Sequence, residues 1–302
     1  MKPTLGFIGV GAMGKGMCAN LARKSGCKVL AADLDMDNVR ALAEAGVVAS
    51  NIAEIASKAE IVFLSLPSID QVEQVCLGPG GLLEQRGALK TIVDMSTSDV
   101  DRTRRLAQRL EAEGVGFADA PVARSRAAAQ NGTLLITVGA TEARFAALKP
   151  YLDCMGSDVV LCGLTGAGQV AKIMNNMVLV NTVHALAMAF AISERSGVSK
   201  DLLARTLGLG SAASFALQLT GAEYLAKDVF PEKMFSAAYA LKDLKLAITL
   251  SDNVSLDNEL TDLTARQLQK AIDAGFKDNY YPVILKVISE DRDAGDAPGL
   301  AH

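Results

Sequence analysis

Histidine is scarce in this 302-residue sequence, and several common signals are absent. His184 and His302 are the only histidines, so a histidine-based metal site is not expected, and we predict no metal ligands. The five cysteines form no C-x-x-C pair, and no secretion signal precedes the first apolar run; together these features indicate reduced thiols in a cytoplasmic protein. Lysine and arginine form no block and the net charge is −4, so nucleic acid and anionic membranes are not expected partners.

A glycine-rich stretch, Gly6–Gly16, stands between a short apolar run and a segment compatible with a helix. Gly9, Gly11 and Gly14 have the spacing G-x-G-x-x-G. In a dinucleotide site the first glycine allows a tight turn, the second lets the backbone approach a pyrophosphate, and the third lets the helix pack on the strand. Asp33 ends the next apolar run, where an acid can bind a ribose hydroxyl. We therefore predict a dinucleotide site; the alternative is a glycine-rich turn in another kind of α/β protein.

The chain changes character near residue 163. Before that point, short apolar strands alternate with helical stretches, which predicts a mostly parallel, doubly wound sheet of Rossmann type over residues 1–163. Residues 164–290 show helical patterns and no convincing strand, so we predict an all-helical domain for substrate binding and dimerisation. Residues 291–302 are short, polar and rich in glycine and proline, and are predicted to be a flexible tail.

The two predicted domains are joined by a long apolar stretch, 169–195, that has no helix breaker. It approaches the length of a membrane span. Polar residues such as Asn176 and His184 interrupt it, and no basic loop flanks it, so a long interdomain helix buried on most sides is the better interpretation. His184 is interpreted as an interior histidine rather than a ligand.

Two groups of residues could carry chemistry. Lys172 and Asn176 are four apart on the long helix and share one face, and Gly166 and Gly168 before them leave room for an approaching molecule. A lysine in a partly desolvated site can move a proton beside a carbonyl carbon that exchanges hydride. The alternative is a solvated lysine with an asparagine beside it.

The second group, Ala123-Arg124-Ser125, follows a predicted strand. Strand ends of an α/β sheet are where ligands bind. An arginine fork and a hydroxyl suit a carboxylate, sulfonate or phosphate. The alternative is a set of ordinary surface side chains on a loop.

Taken together, these residues make the chain resemble the β-hydroxyacid dehydrogenase family, which includes 3-hydroxyisobutyrate dehydrogenases and is related to 6-phosphogluconate dehydrogenases. The resemblance covers nearly the whole length. It rests on motifs that occur in the family's order: Gly9-Val10-Gly11-Ala12-Met13-Gly14, Leu66-Pro67, Asp94-Met95-Ser96-Thr97, Asp119-Ala120-Pro121-Val122, Gly132-Thr133-Leu134, Gly168–Asn176 and Leu241-Lys242-Asp243-Leu244.

The resemblance implies a role for each matching residue. Lys172 would be the catalytic acid and base, and Asn176 would help to hold the substrate. The remaining matches would contact the cofactor. The glycine loop would bind the phosphates, Leu66, Pro67 and Thr97 would line the nicotinamide, and Lys242 would reach over the cofactor from the helical domain. These cofactor residues are Gly9, Gly11, Ala12, Met13, Gly14, Asp33, Leu66, Pro67, Thr97 and Lys242.

The sequence departs from the family at the predicted substrate loop. Most members have Ser-Gly-Gly after the Pro-Val pair, whereas this chain has Ala123-Arg124-Ser125. The replacement resembles sulfolactaldehyde reductases and some short-chain semialdehyde reductases. We therefore predict a small anionic β-hydroxy acid or the matching aldehyde as substrate, and leave the choice between carboxylate and sulfonate open.

The residues after the second strand indicate the cofactor. Asp33 favours free ribose hydroxyls and would repel a 2′-phosphate, and Asp35 adds no compensating cation. NADP-using relatives carry Asn-Arg-Thr at this turn, so we predict NAD, with NADP as the less favoured cofactor and Arg40 as the only nearby cation. The apolar helical region suggests a homodimer or homotetramer. A non-catalytic NAD-binding module is the alternative from another class, but it would not need the Lys172/Asn176 pair.

Overall fold

The computed structural model describes residues 2–290 and divides into two compact units. Unit 1 ends at Lys172 and unit 2 begins at Ile173. The boundary predicted from the sequence, after residue 163, falls just before the helix in which this division lies. The twelve predicted tail residues, 291–302, are outside the described residues.

Unit 1 is built on one nine-stranded sheet. Its strands are β1 (Leu5–Ile8), β2 (Val29–Ala32), β3 (Val47–Ala49), β4 (Ile61–Leu64), β5 (Thr91–Asp94), β6 (Gly116–Asp119), β7 (Val122–Ala123), β8 (Leu134–Gly139) and β9 (Gly156–Gly163). Six of them lie in the order β3-β2-β1-β4-β5-β6 and pair in parallel. This arrangement confirms the predicted Rossmann-type sheet. The carboxyl ends of β1, β4 and β5, which are neighbours, therefore meet at one edge.

The sheet changes direction after β6. β8 runs antiparallel to β6 and β7 and pairs Gly139 with Asp119, whereas β9 runs parallel to β8. Only a short helix and a left-handed turn at Gly132 separate β7 from β8. Because a parallel return requires a longer crossover, this connection can only make an antiparallel pair.

Helices cover both faces of the sheet. They are α1 (Gly14–Ser25), α2 (Met36–Arg40), α3 (Ile52–Lys58), α4 (Ile69–Leu77), α5 (Val100–Ala112), α6 (Arg126–Asn131) and α7 (Glu142–Leu152). Along β1, Phe7 packs into the core on one face and Ile8 into the core on the other, as expected for strands buried on both sides. The Asn51 side chain caps α3 by accepting from the backbone N–H of Glu54.

One helix is shorter than the sequence pattern predicts. The pattern over 37–45 indicates a single helix, but α2 ends at Arg40 and a separate 3₁₀ turn covers Ala43–Ala45. Gly46 follows this turn with a φ of +87°, which leads the chain directly into β3. The connection is therefore too short for a full-length helix.

Helices α1 and α6 are packed unusually closely. A Cβ on Gly16 would lie 2.6 Å from the carbonyl carbon of Ala129. Asn20 Nδ2 donates to the carbonyl oxygens of Gly16, Ala129 and Gln130 at 3.0, 2.9 and 2.8 Å. A single buried amide thus joins the last turn of α6 to α1.

The division between the units falls within α8 (Ala167–Arg195), and unit 2 continues with α9 (Lys200–Leu209), α10 (Ala237–Asn253), α11 (Glu259–Ala271) and α12 (Ile284–Glu290). Two segments of this region form π-helical turns rather than α-helix, at Leu217–Leu225 and Ile272–Phe276. Gly275, at a φ of +92°, breaks the second of these. Among the residues described, unit 2 has only isolated β-bridges besides its helices, so the predicted all-helical domain is confirmed.

Helix α8 is long and apolar enough to cross a membrane by length and composition, with a mean hydropathy of 1.5. Half of its most apolar window is nevertheless buried in the protein. Its polar residues also have partners, since His184 Nδ1 lies 2.8 Å from Thr264 Oγ1, and burial lowers the pKa of His184. These features are typical of the core helix of a globular unit.

Candidate active site

Each of the three glycines in the loop after β1 is required for a different reason. Gly9 has a φ of +93°, and a Cβ there would collide with the carbonyl oxygen of Ser65. A Cβ on Gly14 would collide with the carbonyl oxygen of Gly9. Gly11 is exposed, and a Cβ there would meet no atom within 4 Å. The fold therefore requires Gly9 and Gly14, whereas only an approaching ligand would require Gly11.

Helix α1 begins beside this loop with its N-terminal end uncompensated. Met13 occupies the N-cap position without a side-chain hydrogen bond, and the first turn holds no acidic residue. Ala12 before it is exposed. A helix end in this state presents backbone N–H groups and a partial positive charge to an anion.

Asp33 is fixed at the end of β2. Its Oδ2 accepts from Val10 N–H at 2.6 Å and its Oδ1 accepts from Asp35 N–H at 2.8 Å. The first contact holds the carboxylate against the glycine loop, and the second fixes it within its own turn. Leu34 next to it is fully exposed. An acid fixed beside this loop is well placed for a ribose.

Two further predicted cofactor segments follow neighbouring strands. Leu66 and Pro67 come after β4, and Thr97 comes after β5. Leu66 N–H donates to Ser96 Oγ at 2.9 Å, which joins the two turns. The structure thus brings the glycine loop, Leu66–Pro67 and Thr97 to the same edge of the sheet.

The turn around Thr97 is anchored by a buried acid that sequence reasoning did not select. Asp94 is fully buried and accepts from Ser96 N–H and from Ser98 Oγ, both at 2.9 Å. The next residues are held by Gln169 of α8, whose Oε1 accepts from Ser98 N–H at 2.9 Å and whose Nε2 donates to Ser96 O at 2.8 Å.

A second buried acid, Asp119 at the end of β6, holds the start of α8. Its carboxylate accepts from Gly166 N–H at 2.6 Å and Gln169 N–H at 2.8 Å. Burial raises the pKa of Asp119 to about 6, opposed by these N–H donors and reinforced by Asp94. The group is therefore mostly ionised at neutral pH.

The two glycines before Lys172 have a structural reason different from the one predicted. A Cβ on Gly168 would collide with the carbonyl oxygen of Thr137 and lie 2.8 Å from Asp119 Oδ2. Gly166 has a φ of +92°, and its Cβ position lies 2.8 Å from Arg104 Nε. The fold itself requires these glycines, Gly168 for close packing on the sheet and Gly166 for its positive φ.

Lys172 lies three residues beyond Gln169 in α8 and is half-buried. It belongs to unit 1, with the glycine loop and the Thr97 turn. The first turn of its helix is also held by Thr137, whose Oγ1 donates to the Gly168 carbonyl at 3.0 Å. The backbone that carries the amine is therefore fixed by several strands of the sheet.

Asn176, the next predicted site residue, lies in unit 2. It is 4% exposed, and its Nδ2 donates to Asp243 Oδ2 at 2.5 Å. Lys242 Nζ lies 3.2 Å from Asp243 Oδ1. Asp243 therefore orders both predicted site residues of this unit. Sequence reasoning did not select it, although its position directly after Lys242 was the available signal.

The predicted anion-binding loop has a different arrangement from the one expected. Arg124 adopts a φ of +87° and its guanidinium contacts Thr133 O at 2.7 Å, Ser157 Oγ at 2.9 Å and Asp158 Oδ2 at 2.7 Å. The Ser125 hydroxyl caps α6 by accepting from Ala128 N–H. Ala123 is buried in β7. Two of the three residues thus already have structural partners, and their role toward a substrate stays a prediction.

The sheet, the glycine loop with its acid, and the helical unit define a nicotinamide-dinucleotide-dependent dehydrogenase. Within the part of the chain described, no group of three metal-ligating side chains is found. Residues 4–163 match the family model of the NAD binding domain of 6-phosphogluconate dehydrogenase. Residues 166–288 match the one described as NAD-binding of NADP-dependent 3-hydroxyisobutyrate dehydrogenase. The chain belongs to the β-hydroxyacid dehydrogenase family, and the predicted resemblance is confirmed.

Individual relatives agree with this assignment. The chain is 37% identical over 245 residues to 2-(hydroxymethyl)glutarate dehydrogenase of Eubacterium barkeri, covering 81% of each protein. It is 40% identical over 211 residues to mouse mitochondrial 3-hydroxyisobutyrate dehydrogenase, covering 70% of this chain and 63% of that protein. Among solved structures, Mycobacterium tuberculosis 3-hydroxyisobutyrate dehydrogenase with L-serine matches with a TM-score of 0.86 at 27% identity, covering 95% of this chain and 99% of that one. The chain is thus an NAD(P)-dependent hydroxyacid dehydrogenase of the 3-hydroxyisobutyrate dehydrogenase type.

Proposed function

We propose that this enzyme interconverts a small anionic β-hydroxy acid and its aldehyde, with Lys172 as the general acid and base. The observation that carries the proposal is the fixing of α8. Asp119 and Gln169 bond its first turn to the ends of β5 and β6. The helix turn that carries Lys172 is therefore fixed to the turn that holds Thr97.

A bound nicotinamide would supply the hydride exchange with the carbinol carbon of the substrate. In oxidation the neutral Lys172 amine takes the hydroxyl proton as the C–H bond breaks. In reduction the Lys172 ammonium returns that proton to the carbonyl oxygen, and its charge stabilises the developing alkoxide. Asn176, held by Asp243, binds the substrate and fixes its orientation.

The names of two relatives suggest the substrate class. Both 3-hydroxyisobutyrate and 2-(hydroxymethyl)glutarate carry a hydroxymethyl group on the carbon next to a carboxylate. We infer that the substrate here shares this unit. A sulfolactaldehyde or semialdehyde is the second candidate, since Ala123-Arg124-Ser125 replaces the usual Ser-Gly-Gly. A panel of carboxylates and sulfonates, followed by NADH absorbance, separates the two.

Cofactor choice gives a direct test of the Asp33 site. Because this carboxylate is fixed at the loop and followed by Asp35 rather than a cation, a 2′-phosphate would meet negative charge. We expect kcat/KM for NADH to exceed that for NADPH by about tenfold or more, a difference of about 1.4 kcal/mol in transition-state binding. A tenfold preference for NADPH would contradict the prediction.

Substitution of Arg124 tests the anion site. A φ of +87° favours glycine, and the ion pair with Asp158 is exposed. We therefore expect Arg124→Gly to leave the melting temperature nearly unchanged. If Arg124 binds the substrate anion, KM for an anionic substrate should rise about tenfold or more, while KM for a neutral aldehyde stays the same. Asp158→Asn is the matched control, because it frees the guanidinium without removing it. An equal effect on charged and neutral substrates would remove Arg124 from the site.

A non-catalytic NAD-binding module is the alternative from another class. Such a module would not need the hydrogen bonds that fix the helix turn of Lys172, or the pairing of Asn176 with Asp243. We also propose a homo-oligomer. Val178 on α8 and Leu260 and Leu263 on α11 are exposed, and the Asn181–Thr261 contact shows that these two helices pack side by side in unit 2. Nucleic acid and membrane partners form no part of the proposal.

A further inference from the structure

Gln169 is a buried amide at the start of a helix, and every polar group it has is used. The residue is 0% exposed. Its side chain accepts from Ser98 N–H and donates to Ser96 O, so that one amide bonds to both neighbours of Thr97. Its backbone N–H donates to Asp119. The two ends of one side chain thus link the Thr97 turn to the first turn of α8.

The turn does not depend on Gln169 for its own shape. Asp94 accepts from Ser96 N–H and Ser98 Oγ, within the same strand and turn, and these bonds would remain without the glutamine. The start of α8 likewise keeps Asp119, which contacts Gly166 N–H. The Gln169 side chain therefore adds a link between two structures that are each anchored separately.

The position of Gln169 gives this link a functional meaning. Residues three apart on a helix lie on the same side, so Gln169 and Lys172 are neighbours along α8. A shift of the first turn relative to the Thr97 turn would move the Lys172 backbone by a similar amount. Hydride and proton leave the same carbinol in one reaction, and a misplacement of about 1 Å can cost about 10²-fold in rate.

We infer that Gln169 is a positioning residue that sets the Lys172 amine relative to the Thr97 turn, where the nicotinamide is proposed to lie. This inference rests on the proposed function of Lys172. The residue acts through its neighbours and has no proton-transfer role of its own. If Gln169 served only to fill space, an apolar side chain of the same size would serve as well, because a buried amide adds little stability over an apolar group of the same shape.

The test compares Gln169→Met and Gln169→Glu in the full-length enzyme. Methionine keeps the volume and removes both side-chain hydrogen bonds. We expect kcat to fall about 10²-fold, with KM for NAD and substrate within about threefold of the wild type. Asn279→Asp is the matched control for an amide-to-acid change, because Asn279 Nδ2 also donates to a backbone carbonyl, that of Phe230, within unit 2.

Gln169→Glu supplies a readout that packing alone would not give. An ionised glutamate side chain at this position places an oxygen against Ser96 O, whereas the protonated acid can donate to it. We therefore expect the ratio of variant to wild-type kcat to rise as the pH falls from about 8 to about 6, because burial and neighbouring acids raise the pKa of such a glutamate. The charged native groups nearest this position are Asp94, Arg104, Asp119 and Lys172. Division by the wild-type kcat at each pH removes the pH dependence that both enzymes share.

Three results would overturn the inference. The first is a wild-type kcat in Gln169→Met. The second is a loss of kcat in that variant accompanied by clear losses of NAD affinity and of melting temperature. The third is a ratio of variant to wild-type kcat that does not change with pH for Gln169→Glu. Lys172→Ala in the same assay separates the two proposals. An active Lys172→Ala enzyme would refute the proposed function. An inactive one together with a fully active Gln169→Met would refute only the positioning role.

Discussion

Replacement of Lys172 by alanine is expected to lower kcat by about 10³-fold, within the range typical of a lost general acid and base. The half-buried Lys172 side chain is shortened, but the hydrogen bonds of Gln169, Asp119 and Thr137 that hold the first turn of α8 stay in place. Stopped-flow and steady-state rates in both directions measure the effect. NAD affinity, measured by fluorescence titration, should change less than about threefold, because the loop around Gly11 is untouched.

Lys172→Arg is the sharper companion variant. Arginine keeps the positive charge but stays protonated at all accessible pH values, so it can stabilise an alkoxide and cannot accept the hydroxyl proton. We expect it to be nearly as inactive as alanine in the oxidation direction. Lys149→Ala, on an exposed lysine paired with Asp153, should be silent. Wild-type turnover in Lys172→Ala would end the proposed mechanism.

The second large effect is expected from a comparison of two single variants, Gly11→Ala and Gly14→Ala, each of which adds one methyl group to the glycine loop. Gly11→Ala should fold normally, since its Cβ would meet no atom within 4 Å and its φ is not positive. The methyl would instead stand where a pyrophosphate approaches, and NAD affinity should fall about 10- to 100-fold, or about 1.4–2.8 kcal/mol. Calorimetry gives both the affinity and the melting temperature.

Gly14→Ala should show the opposite pattern. Its Cβ would collide with the backbone carbonyl of Gly9, which cannot rotate away as a side chain could. We expect a loss of about 1–3 kcal/mol in the free energy of unfolding, as is typical of overpacked cores. The glycine loop would be displaced as a result. If Gly11→Ala bound NAD like the wild type, the open space beside Gly11 would not be the pyrophosphate site.

The cofactor half of the site could be predicted because its signals are local. The G-x-G-x-x-G spacing and Asp33 lie within one β-α-β unit, and each residue type has a short-range physical reason. Asp119 and Gln169 could not be selected in the same way. Gln169 lies within the Gly168–Asn176 motif, but its partners Ser96 and Ser98 are more than 70 residues away in the chain, so the motif alone does not show what its side chain contacts.

Backbone conformation explains the other differences. The charge of Arg124 predicts an anion site, but the Ser-Gly-Gly that the family resemblance implies here puts a glycine at this position, which is a signal of the positive φ that Arg124 adopts. The long apolar helix was found from its composition, whereas the π-helical turns at Leu217–Leu225 and Ile272–Phe276 depend on packing within unit 2. Apolar periodicity near 3.6 does not separate such turns from an α-helix.

The amide of Asn20 has a consequence for motion in unit 1. Helix α6 has only six residues, too few to persist without support, and its last turn is held by Asn20 on α1. It also follows directly on Ala123–Ser125. Any opening of that loop that also unfolds α6 would break these contacts with α1, whose N-terminus is proposed to face the dinucleotide, so the two places would then open together.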